Sequence, residues 1–153
     1  MLTVSDGVSA GTREDRSGDL LAELLAADGY EVERLVVPDE RDAVAAAIAG
    51  FDTQLVLTTG GTGVAPRDVT PEATADVVER LVPGIPEALR ADSIAKTPHG
   101  LLSRGLAGIR GATLVVNLPG SPGGCRDGWN VIRDAVPHAL RLLADEQTEH
   151  RQT

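Results

Sequence analysis

Leu55-Val56-Leu57-Thr58-Thr59-Gly60-Gly61-Thr62-Gly63 carries an apolar strand straight into a glycine-rich turn, and Asp68, Thr70 and Pro71 follow within a few residues. A strand, a loop of nearly bare backbone, a carboxylate and a helix start come in that order. Without a Cβ, glycine takes positive φ and lets a ligand approach main-chain N–H groups, which suits a phosphate. Hydroxyls on Thr58, Thr59 and Thr62 add donors for which a purely structural turn has little use. The turn lacks the Gly-Lys-Ser/Thr ending of a P-loop and the dinucleotide spacing, so a tight turn without a ligand is the competing reading.

On both sides of this stretch, short apolar runs alternate with helical periods. Strands are expected over Leu2 to Ser5, Glu31 to Val37, Gln54 to Thr59 and Thr113 to Leu118. Asp6 to Ser17 reads as a polar loop, Gly18 to Asp28 as a helix stopped by Gly29, and Asp39 as the N-cap of a helix ending at Gly50. Thr70 is expected to cap a helix that starts at Pro71 and turns Val77, Val78, Leu81 and Val82 inward. Glu87 to Ala95 adds a helical turn or two, and residues 98 to 111 hold a possible hairpin edge strand among four glycines. Pro119 to Gly124 is a second glycine loop, ahead of a closing helix from Asp127 to about Ala144 that Pro137 should kink. Strands separated by helices imply parallel pairing. The fold class is therefore α/β: one three-layer, doubly wound domain over 1–145, mostly parallel sheet with helices on both faces, followed by a polar tail, 146–153. In such sheets ligands sit at the carboxyl ends of the strands. The loops after Ser5, Thr59 and Leu118 qualify.

The 153 residues carry 14 basic and 23 acidic side chains, a formal charge of −9, with Lys96 the sole lysine and the arginines scattered. No basic block offers itself to a nucleic acid. A phosphate ligand would bind by local geometry against the overall field, with a divalent cation to help. Cys125 is the one cysteine, which leaves no intramolecular disulfide and no cysteine metal cluster. No signal sequence or membrane span is read, and the cytoplasm is the expected compartment. His99 and His138 have no metal-type spacing, and a catalytic histidine has no visible partner.

Asp39 and Asp68 each have two readings. They could hold Mg²⁺ together, since that ion keeps several waters and asks a protein for one or two oxygens. Alternatively both cap helices, although Asp68 precedes a helix that Thr70 can already cap. Asp6 ends the first strand in the same way, and Asp15-Arg16-Ser17-Gly18 leads into a helix whose N-terminus could face an anion. A solvated loop explains both equally well. Ser103, Arg104 and Arg110 bring a hydroxyl and guanidinium groups to the irregular region, where each taken singly is more often a surface residue.

With these residues assembled, the chain resembles the molybdenum-cofactor biosynthesis family of MogA, MoaB and the gephyrin G domain. The matching segments include Thr3-Val4-Ser5-Asp6, Asp15-Arg16-Ser17-Gly18, Val37-Pro38-Asp39-Glu40, Leu57 to Gly63, Pro66 to Thr74, Leu102-Ser103-Arg104, Gly108 to Gly111 and Asn117 to Ser121, in the family's order. The resemblance implies a molybdopterin adenylyltransferase that uses Mg²⁺ and ATP to join AMP to the terminal phosphate of molybdopterin, releasing pyrophosphate. It implies a homotrimer, with hand-over to a molybdate-insertion protein. It makes Asp39 and Asp68 the carboxylates acting on metal and triphosphate, and Gly60, Gly61, Thr62 and Gly63 the phosphate cradle. Ser5, Asp6, Ser103, Pro119, Gly120 and Ser121 would line the nucleotide and pterin region. Gly7, where related chains often carry a larger polar residue, departs from the pattern, as does the glycine-rich Ser121-Pro122-Gly123-Gly124. The alternative functions are a non-catalytic molybdopterin carrier of the MoaB type and a competence-damage-type domain acting on another phosphorylated metabolite.

Overall fold

The computed structural model describes residues 1–150, with side chains as far as residue 144. Six strands among them form one sheet: β1 (Leu2–Val4), β2 (Leu35–Val37), β3 (Leu55–Thr59), β4 (Arg80–Leu81), β5 (Ala107–Arg110) and β6 (Thr113–Leu118). Their spatial order is β2-β1-β3-β6-β5-β4. The first four in that order are parallel, β5 runs antiparallel to β6, and β4, antiparallel to β5, closes that edge. The helices are α1 (Asp6–Ser9), α2 (Arg16–Ala27), α3 (Arg41–Gly50), α4 (Thr70–Val77), α5 (Gly84–Lys96), α6 (Pro122–Ile132) and α7 (Val136–His150). A 3-10 turn spans Pro98–Leu102.

Strand side chains alternate between two faces, and the core divides accordingly. Leu57, Leu114 and Val116 pack with Leu21 and Leu25 of α2 and with Cys125, Trp129 and Ile132 of α6. Their neighbours in sequence, Val56 and Val115, pack on the other face with Val44 and Ile48 of α3 and Ala73 of α4. With one Phe, one Trp and one Tyr in the chain, aliphatic side chains fill both layers. The aromatics that exist meet once, Tyr30 edge-on to Trp129 at 5.7 Å.

Several expectations give way to tertiary pairing. β2 keeps three of its seven expected residues because β1, its single partner, is itself three residues long. On that edge Leu35 and Val36 stay exposed. The helix after Pro71 ends at Val77, where two successive valines favour an extended chain, and Leu81 lies on strand β4, exposed, instead of facing inward. The Glu79 and Val82 N–H groups are taken by the Ile109 and Ala107 carbonyls of β5. The expected hairpin strand is β5, which turns back onto β6, but β4 and not β5 takes the edge of the sheet. The kinked closing helix is two helices. α6 starts earlier, at Pro122, because the Ser121 hydroxyl accepts the Gly124 N–H, and α7 restarts so that Pro137 falls in its first turn, where a missing N–H costs nothing. The loop Asp6 to Ser17 includes the one-turn helix α1, and α2 begins two residues before Gly18. The polar tail, 146–153, lies outside the residues whose side chains are described.

Candidate active site

Strand order reverses at β1, which has β2 on one side and β3 on the other, so the carboxyl ends of β1 and β3 leave a crevice between diverging connections. A cavity of about 770 Å³ occupies it, lined by Ser5, Asp39, Gly60, Gly61, Asp68 and Gly120, together with Arg13 to Ser17. The three loops singled out in the sequence meet here.

The glycine turn is fixed by contacts that exclude side chains. Gly60 and Gly61 have φ of 101° and 69°. A Cβ on Gly60 would overlap the Val4 carbonyl oxygen, and one on Gly61 would overlap Thr70 Oγ1 and lie 3.2 Å from Asp39 Oδ1. Thr70 closes the turn twice: its hydroxyl donates to the Gly60 carbonyl at 2.9 Å and its N–H to the Gly61 carbonyl at 3.1 Å. Thr70 is therefore a turn clamp and the first residue of α4, not its cap. Val69 holds the cap position without a side-chain bond. Across the turn, Thr59 Oγ1 donates to the Pro119 carbonyl at 2.7 Å, and a Cβ on Gly120 would stand 3.2 Å from Gly60 Cα.

Asp39 does not cap α3 either, because Glu40 occupies that position. Its Oδ2 accepts the Asp6 N–H at 2.8 Å, while the Asp39 N–H donates to Asp6 Oδ1 at 3.0 Å. Arg67 then forks onto Asp6, Nε to Oδ2 at 2.6 Å and Nη2 to Oδ1 at 3.0 Å. The fork holds Asp6 below the usual carboxylate range. Asp39 moves the other way: burial raises its pKa most, and the negative charges of Asp6 and Asp68 add to the rise. Asp68 Oδ2 accepts the Ala65 N–H at 2.9 Å. Oδ1 of both Asp39 and Asp68 has no protein donor among the described residues. Two carboxylates facing one cavity, one of them reluctant to ionise, suit a hard cation that keeps most of its waters. No group of three or more His, Cys, Asp or Glu among the described residues has the geometry of a metal cluster.

The remaining sequence candidates fall elsewhere. Asp6 stands at the rim through its bonds to Asp39. Thr62, Gly63, Ser103, Pro119 and Ser121 line a second cavity of about 350 Å³, walled by α5 and α6. The Gly60–Gly63 turn and the Pro119–Ser121 loop thus contribute residues to both spaces and partition them.

Taken singly in the sequence, Arg104 reads as a surface residue. Its Nε donates to the Gly63 carbonyl and its Nη2 to the Asp68 carbonyl, both at 2.7 Å, and its Nη1 pairs with Glu72. One side chain thereby sets the whole Gly63–Asp68 loop. The signal available was slight: Glu72 is an acid in the first turn of α4, and nothing local points to a partner 32 positions away. Cys125 is the small buried residue expected: burial pushes its thiol up to about 11, and it lies 3.2 Å from Thr59 Oγ1.

A family model described as "Probable molybdopterin binding domain" matches residues 1–150. The molybdopterin adenylyltransferase of Helicobacter pylori J99 is 38% identical over 150 residues, covering 94% of this chain and 85% of that protein. The Drosophila melanogaster molybdenum cofactor synthesis protein cinnamon is 37% identical over the full chain, which spans 26% of that longer protein. Among solved structures, the molybdopterin biosynthesis enzyme MoaB of Thermus thermophilus superposes with a TM-score of 0.85 at 44% identity, covering 93% of this chain and 92% of the other.

Proposed function

Because the chain belongs to the molybdopterin-binding domain family, we propose that it is a molybdopterin adenylyltransferase. The terminal phosphate oxygen of molybdopterin attacks the α-phosphorus of ATP, the bond from that phosphorus to the β-phosphate bridging oxygen breaks, and pyrophosphate leaves. The observation that carries the reading is that Asp39, Asp68 and the Gly60–Gly61 turn line one cavity at the reversal of the sheet.

The residue inventory suits this chemistry. A phosphate monoester has a second pKa near ~6, so the nucleophile is already ionised at neutral pH and needs no histidine base. The difficulty is bringing two polyanions together, which neutralisation and in-line positioning meet. Asp39 and Asp68 would hold Mg²⁺, which when bound supplies positive charge between the phosphates. Main-chain N–H groups of Gly61 to Gly63 would hold phosphate oxygens, with Gly60, whose N–H faces the Leu118 carbonyl, shaping the cradle. The larger cavity would take the nucleotide, with Ser5 and Asp6 at its edge. The smaller would take the pterin beside Ser103 and Ser121, with Pro119 and Gly120 between.

The same reading treats residues 1–145 as the functional unit, working in the cytoplasm as a homotrimer that passes its product to a molybdate-insertion protein. No helix among the described residues is long and apolar enough to cross a membrane. The test is to incubate the protein with molybdopterin, ATP and Mg²⁺ and follow pyrophosphate and the adenylylated pterin by mass. Release that disappears in Asp68→Asn supports the enzyme. Tight pterin binding with no release would make the protein a carrier.

A further inference from the structure

Arg13 lies on the loop between α1 and α2 and lines the larger cavity, whose other charged walls include Asp39 and Asp68. Most arginines around that cavity are already engaged: Arg16 with Glu14, Arg34 with Asp15 and Asp19, Arg67 with Asp6, Arg104 with Glu72. Arg13 makes no ion pair with a carboxylate among the described residues, although Glu14 and Asp15 line the same cavity. Its placement is built. The Gly7 carbonyl accepts both the Thr12 N–H at 2.9 Å and the Thr12 hydroxyl at 3.2 Å, which ties down the residue before Arg13. The aliphatic stem of Arg13 then lies over Gly7, where a Cβ would come 3.1 Å from Arg13 Cβ and 3.3 Å from its Cδ. The missing side chain of Gly7 is the space the arginine stem uses.

Sheet order says which part of a nucleotide such a residue meets. The partition between the two cavities stands at the ends of β3 and β6, while the Arg13 loop follows β1, on the opposite side of β3. An α-phosphorus that reacts at the partition leaves the rest of the triphosphate free to extend toward β1, and the β- and γ-phosphates carry most of its charge. We propose that Arg13 is a substrate-contacting residue that binds these two phosphates, the portion leaving as pyrophosphate, and that Gly7 is the seat that aims it. The assignment rests on the adenylyltransferase reading for its choice of ligand.

Calorimetric titration with ATP, pyrophosphate and AMP in the presence of Mg²⁺ tests it without needing turnover. Arg13→Ala is expected to weaken ATP and pyrophosphate by about 10-fold or more, the worth of a charge-assisted contact, and to leave AMP within about twofold. Gly7→Leu, which keeps the arginine and fills its seat, should weaken the same two ligands in a protein whose urea midpoint is checked alongside. Unchanged pyrophosphate binding in Arg13→Ala, or an equal loss for AMP, overturns the assignment. If the unsubstituted protein binds pyrophosphate through Arg13 yet never adenylylates molybdopterin, the enzymatic reading falls and the Arg13 site stands. If it binds none of the three ligands, both fall.

Discussion

Asp6 and Asp39 each donate a backbone N–H to the other's carboxylate, at 2.8 and 3.0 Å. The exchange joins the loops that leave β1 and β2, so the carboxylate at the cavity wall is aimed by a neighbouring strand and not by the helix it precedes. Asp39→Asn keeps an oxygen for the Asp6 N–H and removes the charge. It should fold as before and lose adenylyl transfer by roughly 100-fold or more, the usual scale for deleting one preorganised electrostatic group. Asp39→Ala also removes the strap, and should raise the KM for ATP as well as lower kcat. Equal kinetics for the two variants would show that orientation by Asp6 is of no consequence.

Acid should loosen the loop that carries Asp68. Arg104 holds the Glu72 carboxyl below its ordinary value. A depressed folded-state pKa gives stability that is present above the unfolded value and lost as pH falls through the folded one. The contribution is therefore intact at neutral pH and fades below the ordinary glutamate range. Glu72→Gln should lower the urea midpoint at pH 7 and match the unsubstituted protein at the acid end of the series. Midpoints differing by the same amount at every pH would contradict the pairing.

Gly60 tolerates no side chain. Its φ of 101° and the Val4 carbonyl against it should make Gly60→Ala cost more than about 2 kcal/mol, backbone strain and overlap combined. Gly123 in α6 has nothing within 4 Å of an added Cβ. Gly123→Ala should be neutral or stabilising by about 0.4–1 kcal/mol, since alanine narrows the unfolded ensemble. Chemical denaturation of the two variants gives the contrast.

Asn117 is the polar pin of the interior. Its amide donates to Thr58 Oγ1 at 3.0 Å and Thr74 Oγ1 at 2.9 Å, and its Oδ1 accepts the Leu106 N–H at 3.0 Å. These contacts tie β3, α4 and the entry to β5 onto β6, one residue before the chain reaches Leu118. Asn117→Leu strands several buried polar groups and should cost about 3 kcal/mol, read as a shift in urea midpoint. A loss under about 1 kcal/mol would mean that water replaces the amide.

What was legible in the sequence was local. The strand into Gly60-Gly61, the period of β6 and the apolar stripe of α2 each announce themselves within a dozen residues, and they suffice for the layer order and for three loops at one rim. Residues whose role depends on a distant partner were misread. Asp39 looks like a cap beside Pro38 and is a strap to Asp6, 33 positions away. Thr70 looks like a cap ahead of Pro71 and instead clamps Gly60. Arg104 resembles any surface arginine until the chain brings the Gly63 and Asp68 carbonyls to it across 41 and 36 positions. β4 carries no strand signal of its own, since Arg80 and Leu81 extend only because β5 has an open edge to offer.

The divider between the two chambers is main chain set on main chain, Gly120 against Gly60. At that point no side chain intervenes, and the spacing is set by the folded backbone. Changes around either chamber can retune what each admits while the gap that a phosphorus centre has to bridge stays the same.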